Sequence, residues 1–134
     1  GDTFFGGNVR EKVTISATAA TGTVNFDAIT QSVLYYTTNA SGNWTLNVRG
    51  DGSTTLNSIM ATGDSLTIAF LVTQGSTAYY QATFKVDGSA VTPKYAGGSA
   101  PSAGNINGID GYAMTIIKTG DAAFTALGAL TEFG

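Results

Sequence analysis

The chain has 134 residues, of which 43% are hydrophobic and only 11% are charged, and its formal net charge is -3. It contains no histidine and no cysteine, which excludes disulfides, histidine-dependent catalysis and the common zinc sites. Six scattered cations argue against nucleic-acid binding, no apolar run is long enough for a transmembrane helix, and the length suits one domain.

The first eight residues are predicted to form a flexible N-terminal arm, because the Gly6-Gly7 pair favours no regular structure. Phe4 and Phe5 are large apolar side chains next to these glycines. They either cover the domain's own core or dock on a neighbouring subunit, and the sequence leaves both interpretations open. Residues 9–134 are predicted to form a single β-sandwich domain.

Short segments of alternating apolar and polar residues predict eight or nine β-strands in that domain. The predicted strands cover 9–19, 23–29, 32–38, 43–49, 65–74, 78–87, 109–119 and 122–133, and a further short or edge strand lies near Pro93. At most one short helical turn is predicted, near residues 55–62, where Thr54 or Thr55 provides a cap. Asp87-Gly88 predicts a hairpin, and the small residues of 96–107 predict a long loop.

The pattern predicts an all-β, antiparallel β-sandwich of the jelly-roll type, with an immunoglobulin-like sandwich as the alternative. No repeat of fixed period is visible, which argues against a solenoid or a propeller. The segment 65–74 is the most apolar and is predicted to be a central, buried strand. Gly128, within the last strand, predicts a bulge or the close approach of another backbone.

The acidic residues form no recognisable catalytic or metal-binding motif. Asp51, Asp64, Asp87, Asp110 and Asp121 each stand beside a glycine, where aspartate commonly shapes turns. We therefore predict no catalytic residue, no metal site and no cofactor, and we expect the protein not to be an enzyme.

The aromatic residues are the remaining candidates for function. In a strand, the adjacent pairs Tyr35-Tyr36 and Tyr79-Tyr80 point to opposite faces, so at most one tyrosine of each pair enters the core. The other requires a subunit interface, a covering loop or a ligand. The predicted assembly residues are Phe4, Phe5, Tyr35, Tyr36, Tyr79 and Tyr80. Trp44 and Tyr95 are the candidate contacts for a bound glycan.

Several stretches of the chain resemble small β-rich structural proteins of tailed phages, which we associate with marine phages of cyanobacteria and related ocean bacteria. The stretches are AATGTVNFD (19–27), VLYYTTNASGNWTLNVRG (33–50), LNSIM (56–60), VDGSAVTP (86–93) and GGSAP (97–101). The similarity extends over nearly the whole chain from Val9 onward and contains no mechanistic motif. The resemblance implies a structural role on a virion and no activity.

The expected function is that of a non-enzymatic virion structural protein on the particle surface, as a capsid decoration or a tail-fibre module. Its expected partners are further copies of itself, with a trimer as one arrangement, and other virion proteins, but neither nucleic acid nor membrane. Two alternatives stay open. One is a tail-fibre module that recognises a host surface glycan, and the other is a subunit of a non-viral extracellular filament that polymerises by strand addition.

Overall fold

The computed structural model describes residues 12–134, which form ten strands and one short helix. The elements are β1 (Thr14–Ala19), β2 (Gly22–Asp27), β3 (Val33–Thr38), β4 (Trp44–Arg49), α1 (Leu56–Ile59), β5 (Ser65–Thr73), β6 (Gln81–Val86), β7 (Ser89–Ala90), β8 (Lys94–Tyr95), β9 (Ile109–Gly120) and β10 (Ala123–Phe133). The predicted arm, residues 1–8, lies outside the described residues, as do positions 9–11 of the predicted domain.

Two mixed sheets pack face to face as a sandwich, which confirms the predicted all-β sandwich class. The six-stranded sheet has the order β1-β3-β5-β9-β10-β8, and the four-stranded sheet has the order β2-β4-β6-β7. From β1 to β6, successive strands alternate between the two sheets. β5 lies inside the larger sheet, as predicted for the most apolar segment.

The expectation of antiparallel, jelly-roll pairing is wrong for most of the sandwich. β1, β3 and β5 pair in parallel in one sheet, and β2, β4 and β6 pair in parallel in the other. Each strand in the opposite sheet provides the crossover that parallel neighbours require. The chain therefore winds as a short coil, but the turns differ in length. One advances by 20 residues, from Thr14 to its partner Leu34, and the next by 36, from Val33 to Ala69, so the sequence shows no fixed period.

The local predictions at turns are confirmed where the side chain itself makes the turn. Thr55 caps α1 by accepting a hydrogen bond from the Ser58 N–H at 3.1 Å. Asp87 and Gly88 both have positive φ (51° and 81°) and connect the antiparallel pair β6–β7, as a type I′ hairpin requires. The Asp87 carboxylate also accepts hydrogen bonds from the N–H groups of Leu56 and Asn57 at 2.7 and 3.0 Å, which fixes the start of α1.

The core lies between the sheets and is dominated by interlocking rings. Trp44 meets Phe70 and Tyr112 in edge-to-face contacts, with ring centroids 5.8 and 5.5 Å apart. The Tyr112 hydroxyl accepts a hydrogen bond from the Gln81 N–H at 3.1 Å. These contacts join the two sheets, because Trp44 and Gln81 belong to the smaller sheet and Phe70 and Tyr112 to the larger one.

Candidate assembly interface

The outer face of the four-stranded sheet is polar and forms ladders across its parallel strands. Asn47 Nδ2 donates to Asn25 Oδ1 at 3.0 Å, and Arg49 Nε donates to Asp27 Oδ1 at 2.7 Å. The hydrogen bond to Asp27 raises the pKa of Arg49 above its ordinary value. Since the Arg49 and Asp27 side chains remain partly accessible to water, this face suits contact with solvent.

The outer face of the six-stranded sheet has the opposite character. Strand alternation turns the odd-numbered residues of 33–37, 65–73, 109–119 and 125–133 outward, together with Ile15 on β1. None of these side chains is charged; they are aliphatic, aromatic, threonine, serine, alanine or glycine. Lys94 adds one cation on the edge strand β8, beside Leu127. We call this set of outward residues on β1, β3, β5, β9 and β10 the uncharged face.

Large apolar groups on the uncharged face are accessible to solvent. The exposed fractions are 66% for Ile15, 44% for Leu127 and 55% for Phe133. Tyr35 and Leu71 lie next to each other in the same row of the sheet as Ile15. Scattered exposed apolar residues are ordinary, but Ile15, Tyr35 and Leu71 form a contiguous apolar row, and such a surface marks an interaction site.

The size of the uncharged face is close to that of a protein interface. Five strands spaced at about 4.8 Å span about 24 Å, and strands averaging about nine residues are roughly 30 Å long. The face therefore measures about 700 Å², compared with about 800 Å² per partner in a standard interface. A contact of this area suits a modest affinity that is reinforced in a repeating assembly.

The two tyrosine pairs differ in how far they follow the prediction. Tyr36 packs on Phe70 with ring centroids 5.1 Å apart, and burial raises its pKa. Tyr35 points the other way, onto the uncharged face, so the prediction of opposite faces is confirmed here. The prediction that Tyr79 and Tyr80 lie within a strand is wrong, because β6 begins only at Gln81. These two residues lie in the preceding loop, where Tyr79 packs against the core.

The predicted glycan contact at Trp44 is wrong, because its indole ring is 1% exposed and lies inside the core. Its Nε1 donates to Gln81 Oε1 at 3.2 Å, so the polar atom of the ring is also occupied. Tyr95 is half-buried, and its ring lies over Gly128. Burial raises the pKa of Tyr95. Only part of its ring remains available to a ligand, and Tyr95 stays a prediction.

Phe4 and Phe5 lie outside the described residues, so their assignment to assembly also stays a prediction.

Sequence reasoning missed the central members of the uncharged face, among them Leu71, Leu127 and Phe133. The signal was present in the alternation of the predicted strand 109–119, where the buried residues Tyr112 and Met114 alternate with outward positions. The positions between those core residues carry no charge, although an outer face normally does.

The acidic residues serve mainly local structure. Asp51 accepts a hydrogen bond from the Ser53 N–H at 2.9 Å, which lowers the pKa of Asp51. Asp64 accepts from the Ala61 N–H at 2.8 Å. Asp110 differs, because it is fully buried on β9, where Oδ2 accepts from Gln74 and Asn105 while Oδ1 has no partner among the described residues. Residues 12–134 contain no group of three acidic, histidine or cysteine side chains that is arranged to hold a metal.

Comparison with known proteins found no matching family model, curated protein or solved structure. Within the described part of the chain, no helix has the length and hydrophobicity that crossing a membrane requires. The geometry of the two faces is therefore the basis for a functional assignment.

Proposed function

We propose that this protein is a non-enzymatic structural subunit of a phage virion, which assembles with further copies of itself and with other virion proteins through the uncharged face. Decoration of the capsid is the first candidate location, and a fibre module is the second. The observation that carries the proposal is the contrast between a charge-free outer face on one sheet and a polar, salt-bridged outer face on the other.

A second copy is the occupant that this surface suits best. Two uncharged faces pack against each other without desolvating an ion on β1, β3, β5, β9 or β10, while Lys94 stays at the edge on β8, and the contact is self-complementary under two-fold symmetry. The estimated area of about 700 Å² approaches that of a standard interface. The resemblance of the sequence to virion structural proteins agrees with a role in which many copies pack side by side.

The test replaces Leu71, in the middle of the uncharged face, by lysine. A lysine there must be desolvated when two faces meet, so we expect the dissociation constant for self-association to rise at least tenfold, which corresponds to about 1.4 kcal/mol. Thr23→Lys, at an exposed position on the opposite sheet, is the matched control and should leave self-association unchanged. Sedimentation velocity over a concentration series measures both variants and the wild type.

Thermal unfolding of each variant checks that the fold persists. A wild-type protein that stays monomeric at high micromolar concentration would reject the proposal, and so would equal effects of the two lysines. Cryo-electron microscopy of the intact particle then locates the copies as closed oligomers on a shell, units along a fibre, or an endless filament. The last arrangement would favour the non-viral alternative.

Recognition of a host glycan is a second candidate function, and one observation favours it. An open groove of about 430 Å³ lies on the polar sheet, facing away from the uncharged face. Its lining includes Asn47, Arg49, Asp51 and Asp87, whose amide, guanidinium and carboxylate groups match sugar hydroxyls. If the uncharged face docks on the particle, this groove is displayed outward. Binding to a glycan array that is lost in Arg49→Ala, at a partly exposed side chain of the groove, would support this function, and an array without hits would dismiss it.

A further inference from the structure

The edge of β5 is open along its first half. β9 pairs with β5 over its whole length, from Ser65 to Thr73. On the other side, β3 pairs with β5 only from Ala69 onward. No strand within residues 12–134 pairs with 65–68 on that side, and we call this stretch the β5 notch.

The backbone groups in the β5 notch point into the open space. The Ala69 N–H donates to the Ser32 carbonyl at 2.9 Å, on the β3 side, whereas the Asp64 carbonyl accepts from the Lys118 N–H at 3.0 Å, on the β9 side. Since successive residues of a strand direct their backbone groups to alternate edges, the N–H and C=O groups of Ser65 and Thr67 face the notch. Such a row of backbone groups is a template for an added strand.

Depressions flank the β5 notch on both faces of the sheet. The inner one, of about 270 Å³, lies between β5 and α1, and Ala28, Leu56, Ile59, Met60 and Leu66 provide its apolar lining. The outer one, of about 330 Å³, belongs to the uncharged face, and its lining includes Ser32, Val33, Thr67, Ala69 and Ala113. Neighbouring side chains of a strand added at the notch would enter the two depressions alternately.

We propose that the N-terminal segment of a neighbouring copy, residues 1–11, adds to the β5 notch as an extended strand. Phe4 and Phe5 are adjacent, so in an extended segment one ring enters the inner depression and the other enters the outer one. This inference rests on the proposed function and specifies a second contact between the same copies.

The position of β1 supports a neighbouring copy as the source of the segment. The described chain begins at Lys12, just before β1, and β1 is an edge strand of the sheet that carries the uncharged face. Within one chain, β3 and the 28–32 turn that leads into it separate β1 from β5, so a chain's own segment would have to cross that turn to reach its own notch. Eleven extended residues reach up to about 36 Å, which is longer than the estimated width of the whole face.

The absence of native cysteine allows a direct test by disulfide trapping in the full chain. Copies with Phe4→Cys or Phe5→Cys are mixed with copies that carry Ile59→Cys, in the inner depression, or Thr67→Cys, in the outer one. We expect mixed disulfide dimers on non-reducing gels, with one phenylalanine position joining Ile59→Cys and the other joining Thr67→Cys. Thr23→Cys, on the opposite sheet, is the control and should give none.

Substitution in the inner depression provides a second readout. Ile59 is 48% exposed, so Ile59→Lys should leave the fold intact and raise the dissociation constant for self-association by about tenfold to a hundredfold. Thr62→Lys, an exposed position outside the depression, should not change the dissociation constant.

The outcomes separate this inference from the proposed function. Mixed disulfides together with weakened association in Ile59→Lys support the inference. Self-association that depends on Leu71 but gives no mixed disulfide overturns the inference and leaves the proposed function standing. A cross-link only within single chains, in a double variant such as Phe5→Cys with Ile59→Cys, also overturns it. A wild-type protein that does not self-associate rejects both.

Discussion

Gly128 gives the sharpest test of how the edge of the larger sheet is packed. The Tyr95 ring covers this glycine so closely that a Cβ added there would lie 2.6 Å from Tyr95 Cε1 and 2.8 Å from Cδ1. The Tyr95 hydroxyl also lies 3.5 Å from Gln81 Nε2. Gly128→Ala must therefore displace an aromatic ring that is fixed by the β8 backbone at one end and by the contact of its hydroxyl with Gln81 at the other.

Two opposing terms set the magnitude of this effect. Replacing a strand glycine by alanine stabilises a protein by roughly 0.5–1 kcal/mol through the unfolded chain. Overpacking against a fixed ring costs about 1–3 kcal/mol. We expect Gly128→Ala to lower the free energy of unfolding by about 1–2 kcal/mol. In a Tyr95→Ala background the clash is gone, and because the remaining close atom is the mobile Met114 methyl, the same change should be neutral or stabilising.

Urea unfolding, followed by the fluorescence of the single, buried Trp44, measures all four members of this double-mutant cycle. The expected coupling between positions 95 and 128 is about 2 kcal/mol. Gly111→Ala is the control, because an added Cβ meets the Leu71 and Phe133 side chains at 3.3 Å, which can move on the outer face, and the Thr131 carbonyl oxygen at an ordinary 3.7 Å. Equal destabilisation by Gly128→Ala with and without the Tyr95 ring would refute the reasoning.

Two further predictions concern the backbone and the pH dependence of stability. Ala122 has a φ of 51°, a conformation that glycine adopts more easily than alanine, so Ala122→Gly should raise the free energy of unfolding by about 0.5–1 kcal/mol. Ala123→Gly, in the following strand, should lower the free energy of unfolding by a similar amount. Urea unfolding that shows the same sign for both variants would contradict this prediction. Burial raises the pKa of Tyr112 well above its ordinary value, so above about pH 10 the unfolded state loses this proton while the folded state keeps it, and stability falls by up to about 1.4 kcal/mol per pH unit. Tyr112→Phe should reduce the loss of stability above pH 10. The same change costs about 1 kcal/mol at neutral pH, because it leaves the Gln81 N–H without its partner. If the free energy of unfolding of wild type and variant changes in parallel from pH 8 to 11, Tyr112 is not the group responsible.

The strands and turns were predictable because their signals are local. Alternation predicted the strand at 109–119, Thr54 or Thr55 marked the start of α1, and Asp87-Gly88 predicted the hairpin between β6 and β7. The prediction of a bulge or a close backbone at Gly128 is wrong, because the side chain of Tyr95 is what approaches this glycine. Its strand continues without a bulge at that position.

Strand partners were not predictable from the same signals. Only Ala20 and Thr21 separate β1 from β2, a length typical of a hairpin. The chain instead turns into the opposite sheet, with Gly22 at a φ of 57°. Alternation determines which face of a strand is buried, but it does not determine the neighbour to which that strand donates its hydrogen bonds. Parallel and antiparallel sandwiches therefore have the same local pattern, and only the tertiary arrangement distinguishes them.

In the folded protein, the scarcity of charged residues is concentrated on one surface, the uncharged face. Each sheet buries one face against the other sheet and leaves its second face on the outside of the sandwich. Both outer faces must therefore be compatible with whatever covers them, either water or another protein. The outer face of the smaller sheet carries polar and charged pairs such as Asn25–Asn47 and Asp27–Arg49. The larger sheet places Leu71, Leu127 and Phe133 outward, with no charge between them on its strands. A face left in water is expected to resemble that of the smaller sheet, and this contrast between the two outer faces is the observation on which the proposed assembly rests.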